Sequence, residues 1–129
     1  RWYRFDDGIY TAARLVELLS TSSDSYHGML SGLPKYVSSG EISVAVPARE
    51  RRQLIRDLTT EPDYPGSRVT TLDGLRIDYS DSWGLVQASS TDDSLLFRFE
   101  GNDEQALSRV QAVLRRAILE KMPDLELPF

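Results

Sequence analysis

Three observations on the 129-residue chain predict an α+β fold, with a four- to five-stranded, mostly antiparallel sheet that carries helices on one face and is preceded by helices from the end of another domain. First, Trp83, Leu85 and Gln87 alternate with Gly84, Val86 and Ala88, and Leu95, Phe97 and Phe99 alternate with Leu96, Arg98 and Glu100. Period two over such runs is the pattern of a strand with two unlike faces. Second, Asp73-Gly74 sits between two β-like runs and reads as a two-residue hairpin, because both residue types tolerate positive φ. Third, two downstream segments carry apolar residues at helical spacing on one face only, which places both helices on a single side of the sheet.

In chain order, Asp6 or Asp7 caps a helix whose apolar positions are Ile9, Ala12, Ala13, Val16 and Leu19, widened by Leu15 and Leu18. So apolar a helix normally packs on a sheet, and no strand of adequate length precedes it. Tyr26, Met29 and Leu30 suggest a short second helix. Pro, Gly and Ser then cluster from Gly32-Leu33-Pro34 to Ser38-Ser39-Gly40, the signature of a hinge. Ile42, Val44 and Val46 alternate as a strand, and Pro47 suits the first turn of a helix from about Ala48 to Thr59, with Leu54, Ile55 and Leu58 facing inward. Residues 61–68 read as a loop. Val69 to Leu72 and Leu75 to Tyr79 are the arms of the expected hairpin, and Ser80-Asp81-Ser82 turns the chain into the Trp83 strand, giving a meander. Asn102 with Gln105 resembles a capping pair for a helix bearing Leu107, Val110, Val113, Leu114, Ala117 and Ile118, which ends at about Lys121 before Pro123. Leu125, Leu127 and Phe129 are expected to pack as an extended tail.

The domain division that follows is 1–33 as the helical end of one domain, 34–40 as the hinge centred on Pro34, and 41–129 as a second domain. The chain begins without Met on the aromatic run Arg1-Trp2-Tyr3-Arg4-Phe5 and reads as a cut through a longer protein.

Composition narrows the function. With 15 basic against 20 acidic residues and a net charge of −5, the chain is unsuited to binding a phosphate backbone, so nucleic acid is not an expected partner. It contains no cysteine and one histidine, which excludes thiolate chemistry, disulfide scaffolds and imidazole clusters. No apolar run approaches the roughly 18 residues of a membrane span, so no membrane association is expected and the cytoplasm is the default location.

The expected working surface is the loop between the Trp83 and Leu95 strands. Ser89, Ser90 and Thr91 bring three hydroxyl groups and backbone N–H groups to a chain reversal, an arrangement that cradles oxyanions; Asp92 and Asp93 oppose an anion there. His27 lacks neighbours with which to form a site. Asp78, Asp81, Asp92 and Asp93 are read as turn residues rather than metal ligands. Arg49, Arg51, Arg52 and Arg56 are interleaved with Glu50 and Asp57 and read as a solvated helix face.

Phe5-Asp6-Asp7-Gly8-Ile9-Tyr10, Leu33-Pro34, Thr70 to Tyr79, Trp83 to Thr91, Leu96 to Glu100 and the closing Leu-Pro-Phe, in that order, resemble the C-terminal part of the α-D-phosphohexomutases, nearest the bacterial phosphomannomutase/phosphoglucomutase branch. The resemblance implies a cytoplasmic isomerase of carbohydrate metabolism that interconverts the 1-phospho and 6-phospho forms of mannose or glucose. It implies that residues 1–33 end the third domain and 41–129 form the fourth, which closes on the phosphosugar substrate. Its remaining partners are the other domains of the same polypeptide, which supply the catalytic Ser and the Asp ligands of Mg²⁺, so this chain contributes no catalytic or metal-binding residue and is inactive alone. By position, the phosphate-binding residues are Gln87, Ser89, Ser90 and Thr91. Gln87 replaces an Arg of the family pattern, Ser90 an Asn, and Arg4 a Gly. The alternative is a degenerate member whose fourth domain has lost phosphate binding and serves as an interaction or regulatory module.

Overall fold

A computed structural model describes residues 6–60 and 63–129. The aromatic run at 1–5, with Arg4, and positions 61 and 62 of the loop lie outside the described residues. The chain divides into two compact units at Pro34 and Lys35.

The first unit contains α1 (Gly8–Thr21) and α2 (Tyr26–Ser31). Of the two candidate caps, Asp7 holds the α1 N-terminus, accepting the Tyr10 N–H at 3.0 Å. Ser25 caps α2 in the same way, accepting from Gly28 at 3.1 Å. Neither helix buries a residue. Ile9 and Val16, from the predicted apolar face, are 85% and 64% exposed, and the described residues of this unit contain no strand.

The second unit is built on a five-stranded sheet of order β1-β5-β4-β3-β2, from β1 (Val37–Ala45), β2 (Arg68–Thr70), β3 (Leu75–Asp78), β4 (Ser82–Ala88) and β5 (Ser94–Gly101). Every pairing is antiparallel. The register lines Leu75 up with Val86 and Ile77 with Gly84, then Val86 with Phe97 and Gly84 with Phe99, so that these positions share one face. Leu75, Ile77, Val86, Leu95, Phe97 and Phe99 are fully buried there. They lie beneath α3 (Ala48–Thr60), which buries Leu54 and Leu58, and α4 (Glu104–Lys121), which buries Ala106, Leu107, Val110, Leu114 and Ile118. Two glycines let α4 lie close to the sheet. A Cβ on Gly84 would stand 2.9 Å from Leu114 and 3.1 Å from Val110, and one on Gly101 would stand 2.4 Å from the Leu107 nitrogen. The tail also joins this core: the Phe129 ring lies 4.7 Å from that of Phe99 and 5.1 Å from that of Phe97.

Three local expectations are corrected. Residues 37–40, assigned to the hinge, are the first part of β1, with Val37 opposite Gly101 and Ser38 opposite Glu100. Their Ser and Gly content reflects a bulge rather than a linker. Three steps from Ser38 to Glu41 face two steps from Glu100 to Arg98, Gly40 takes φ 68, and Ser39 Oγ accepts the Phe99 N–H at 3.1 Å. The Asp73-Gly74 turn is not a two-residue hairpin, because Thr70 pairs with Arg76 and leaves Thr71 to Gly74 between the strands. Gly74, at φ 125, lies against β4 so closely that a Cβ would come 2.3 Å from the Val86 carbonyl oxygen. Finally, the α4 cap is Asp103, which accepts from Ala106 at 2.7 Å, and not Asn102.

Candidate functional site

The reversal between β4 and β5 is held by its own hydroxyls. The Ser89 N–H donates to the Ser94 carbonyl at 3.0 Å, closing the turn. Ser89 Oγ is turned inward, where it accepts the N–H groups of Thr91 and Asp92, both at 3.3 Å, and lies 3.2 Å from Thr91 Oγ1. This is the local side-chain-to-backbone bonding that Ser favours at turns. Ser89 is buried, whereas Ser90 and Thr91 are exposed. Ser90 and Thr91 are thus exposed residues on a frame that Ser89 fixes, with the Thr91 hydroxyl held against Ser89 Oγ.

The two aspartates are tied back rather than left free. Asp92 Oδ1 accepts from Ser94 Oγ at 2.5 Å. The hydrogen bonds from Ser94 and Ser89, with a smaller contribution from the Arg51 charge, hold its carboxyl below the ordinary value despite some desolvation. Asp93 pairs with Arg51 at 3.2 Å, and its carbonyl accepts the Val46 N–H at 3.0 Å. Arg51 also donates to the Asp92 carbonyl. Its side chain is only 12% exposed, and its buried Nε has no hydrogen-bond partner.

Sequence reasoning placed Arg51 on a solvated face and so missed it. The signal was present: Arg51 precedes Leu54 by three positions and Leu58 by seven, which puts it on the buried stripe of α3.

Of the four predicted site residues, Ser89, Ser90 and Thr91 are brought into one turn. Gln87 stands apart on β4, on the sheet face opposite the helices, where it is opposite Leu96. It lines a shallow depression of about 220 Å³ with Leu72, Gly74, Arg76 and Leu85. The same face carries the cross-strand row Arg76, Leu85, Arg98 and Glu41. Its cations are matched by carboxylates, with Arg76 paired to Asp78 and Arg98 to Glu41, each at 2.7 Å. Arg76 also lies 4.0 Å over the Trp83 ring, whose Nε1 donates to Glu100 at 2.8 Å.

Among the described residues no three carboxylate or imidazole groups come together as a metal site. Asp78, Asp81 and Asp93 each pair with an arginine, Asp81 with Arg109 at 2.5 Å. The donor set therefore does not fit Mg²⁺. His27 makes an edge contact with the adjacent Tyr26 on α2, their ring centroids 5.9 Å apart.

The N–H groups of Ser89, Thr91 and Asp92 are bonded within the reversal, and the exposed hydroxyl-bearing residues there are Ser90 and Thr91. The family described as "Phosphoglucomutase/phosphomannomutase, C-terminal domain" matches residues 41–117. The chain is 41% identical over its full length to the phosphomannomutase/phosphoglucomutase of Pseudomonas putida and 38% identical to the phosphoglucomutase of Neisseria meningitidis serogroup B, and it spans 28% of the length of each. A crystal structure of a phosphoglucomutase/phosphomannomutase family protein from Burkholderia thailandensis superposes with a TM-score of 0.84 at 40% identity, covering 99% of this chain and 27% of the other.

Proposed function

Because the chain belongs to the phosphoglucomutase/phosphomannomutase family, matching its C-terminal domain, we propose that it is the substrate-phosphate-binding part of a mutase that interconverts hexose 1-phosphate and hexose 6-phosphate. The observation that carries this reading is the β4–β5 reversal, in which Ser89 organises the backbone and Ser90 and Thr91 are exposed hydroxyl-bearing residues. Hydroxyl donors gathered at a turn suit a phosphate. In this reading Mg²⁺ is held by residues elsewhere in the polypeptide. The second unit closes on the phosphosugar about the segment at Pro34, which positions the substrate and excludes water. The isolated chain is inactive in this reading.

Titration of the chain with glucose 1-phosphate by NMR tests the loop. The amides of Ser89, Ser90 and Thr91 shift first if the assignment is right. Shifts confined to other regions overturn it.

A second reading is favoured by Gln87, whose side chain offers only neutral N–H groups where a guanidinium would give charge-assisted bonds. In that reading the domain has lost phosphate binding and acts as an interaction or regulatory module. Saturating glucose 1-phosphate then leaves the whole spectrum unchanged.

A further inference from the structure

We infer that Arg51 is a positioning residue of the β4–β5 loop, fixing the reversal through the Asp92 carbonyl and cancelling the Asp93 charge that would otherwise repel a phosphate dianion at Ser89 to Thr91. The inference rests on the phosphate reading of the loop and explains how a turn followed by two aspartates accepts an anion.

Three observations support it. The guanidinium comes from a different element, the first turns of α3, and reaches a loop some forty positions later in the sequence, where it touches both a backbone carbonyl and a carboxylate. Its side chain is 12% exposed whereas Asp93 is 72% exposed, so the positive charge is held in place and the negative one is exposed to solvent. A charge so desolvated is costly unless paired, yet Nε has no partner. The loop contacts are therefore the compensation that this buried cation receives.

The charges at the reversal are arranged to the same end. Asp92 is bonded to Ser94 and Asp93, though exposed, is paired with Arg51, so neither carboxylate at the reversal lacks a partner. The nearest cations on the open sheet face, Arg76 and Arg98, are matched by Asp78 and Glu41. Arg51 is thus the basic side chain, among the described residues, that contacts the loop itself.

The test compares Arg51→Ala, Arg51→Lys, Asp93→Asn and the double variant Arg51→Ala/Asp93→Asn with the unaltered 129-residue chain, each titrated with glucose 1-phosphate by NMR. One uncompensated charge at roughly 8 Å from a dianion in a water-like dielectric changes Kd by about fivefold. Arg51→Ala weakens binding by about that factor, Arg51→Lys restores most of it, and the double variant returns close to the original Kd because the unpaired carboxylate is gone. Asp93→Asn, a change at an exposed side chain, tightens binding and remains informative should Arg51→Ala unfold. Unaltered binding in Arg51→Ala overturns the inference, as does a double variant as weak as the single one; in either case loop shifts in the unaltered chain leave the phosphate reading standing. If the unaltered chain shows no loop shifts, the phosphate reading itself fails. Amide exchange then decides the positioning role: exchange at Ser89, Thr91 and Asp92 at least tenfold faster in Arg51→Ala supports it, and unchanged exchange overturns it.

Discussion

Gln87 and Ser89 are two positions apart and have opposite tasks. Gln87 is on the open sheet face beside a shallow depression, while Ser89 is buried and accepts two backbone N–H groups. Replacing Gln87 by Arg supplies a planar, permanently charged donor. Since a charge-assisted bond contributes roughly 1.5–3 kcal/mol against about 1 kcal/mol for a neutral one, affinity for glucose 1-phosphate should rise about tenfold. Isothermal titration calorimetry checks this, and an unchanged Kd shows that residue 87 does not face the ligand. Ser89→Ala orphans the Thr91 and Asp92 N–H groups, so their exchange with solvent should accelerate even without ligand. The hydroxyl cluster was legible in the sequence because turn residues bond locally. Arg51 was not, because its partners are some forty positions away and its helix carries three further arginines, at 49, 52 and 56, that mask a single inward one.

Close approach governs the elements. Gly84 lies under α4 and Gly101 under its first turn. Gly84→Ala meets side chains that can give by a few tenths of an ångström, so a loss of about 1–3 kcal/mol in urea unfolding is expected. Gly101→Ala meets backbone atoms of Asp103, Ala106 and Leu107, and its loss should be the larger. The α4 cap provides a sharper comparison. Asp103→Ala should cost about 1 kcal/mol and Asn102→Ala little, because the Asp103 carboxylate is the group that accepts the Ala106 N–H. Equal losses would show that the cap is shared. Strand periodicity made β4 and β5 readable to within a residue or two, as burial alternates along both. Turn chemistry misled at Asp73-Gly74, where Gly74 lies against β4, a neighbour that local sequence does not show.

At the scale of the molecule, the hydrophobic core lies within residues 35–129, whereas the described helices of residues 1–34 bury nothing. A fragment of residues 35–129 should therefore unfold cooperatively by circular dichroism, and one of residues 1–34 should show little helix in water; a melted 35–129 fragment would contradict this account of the core. Stability should also fall at high pH. Burial, then the nearby Tyr79 and Glu120, pushes the Tyr64 phenol from 10.0 up to about 12. Its folded-state value thus exceeds the unfolded one, so its contribution is complete below pH 10 and is lost as pH rises from 10 towards 12. Tyr64→Phe should blunt that loss in denaturant titrations run across the same range. The irregularity in β1 has a further consequence. β1 is an outer strand of nine residues, long enough to recruit the backbone of another molecule. The bulge at Gly40 interrupts its regular run of donors and acceptors. The template open to an incoming strand is thereby shortened to the regular run from Glu41 to Ala45, and a short edge is a poorer seed for edge-to-edge pairing.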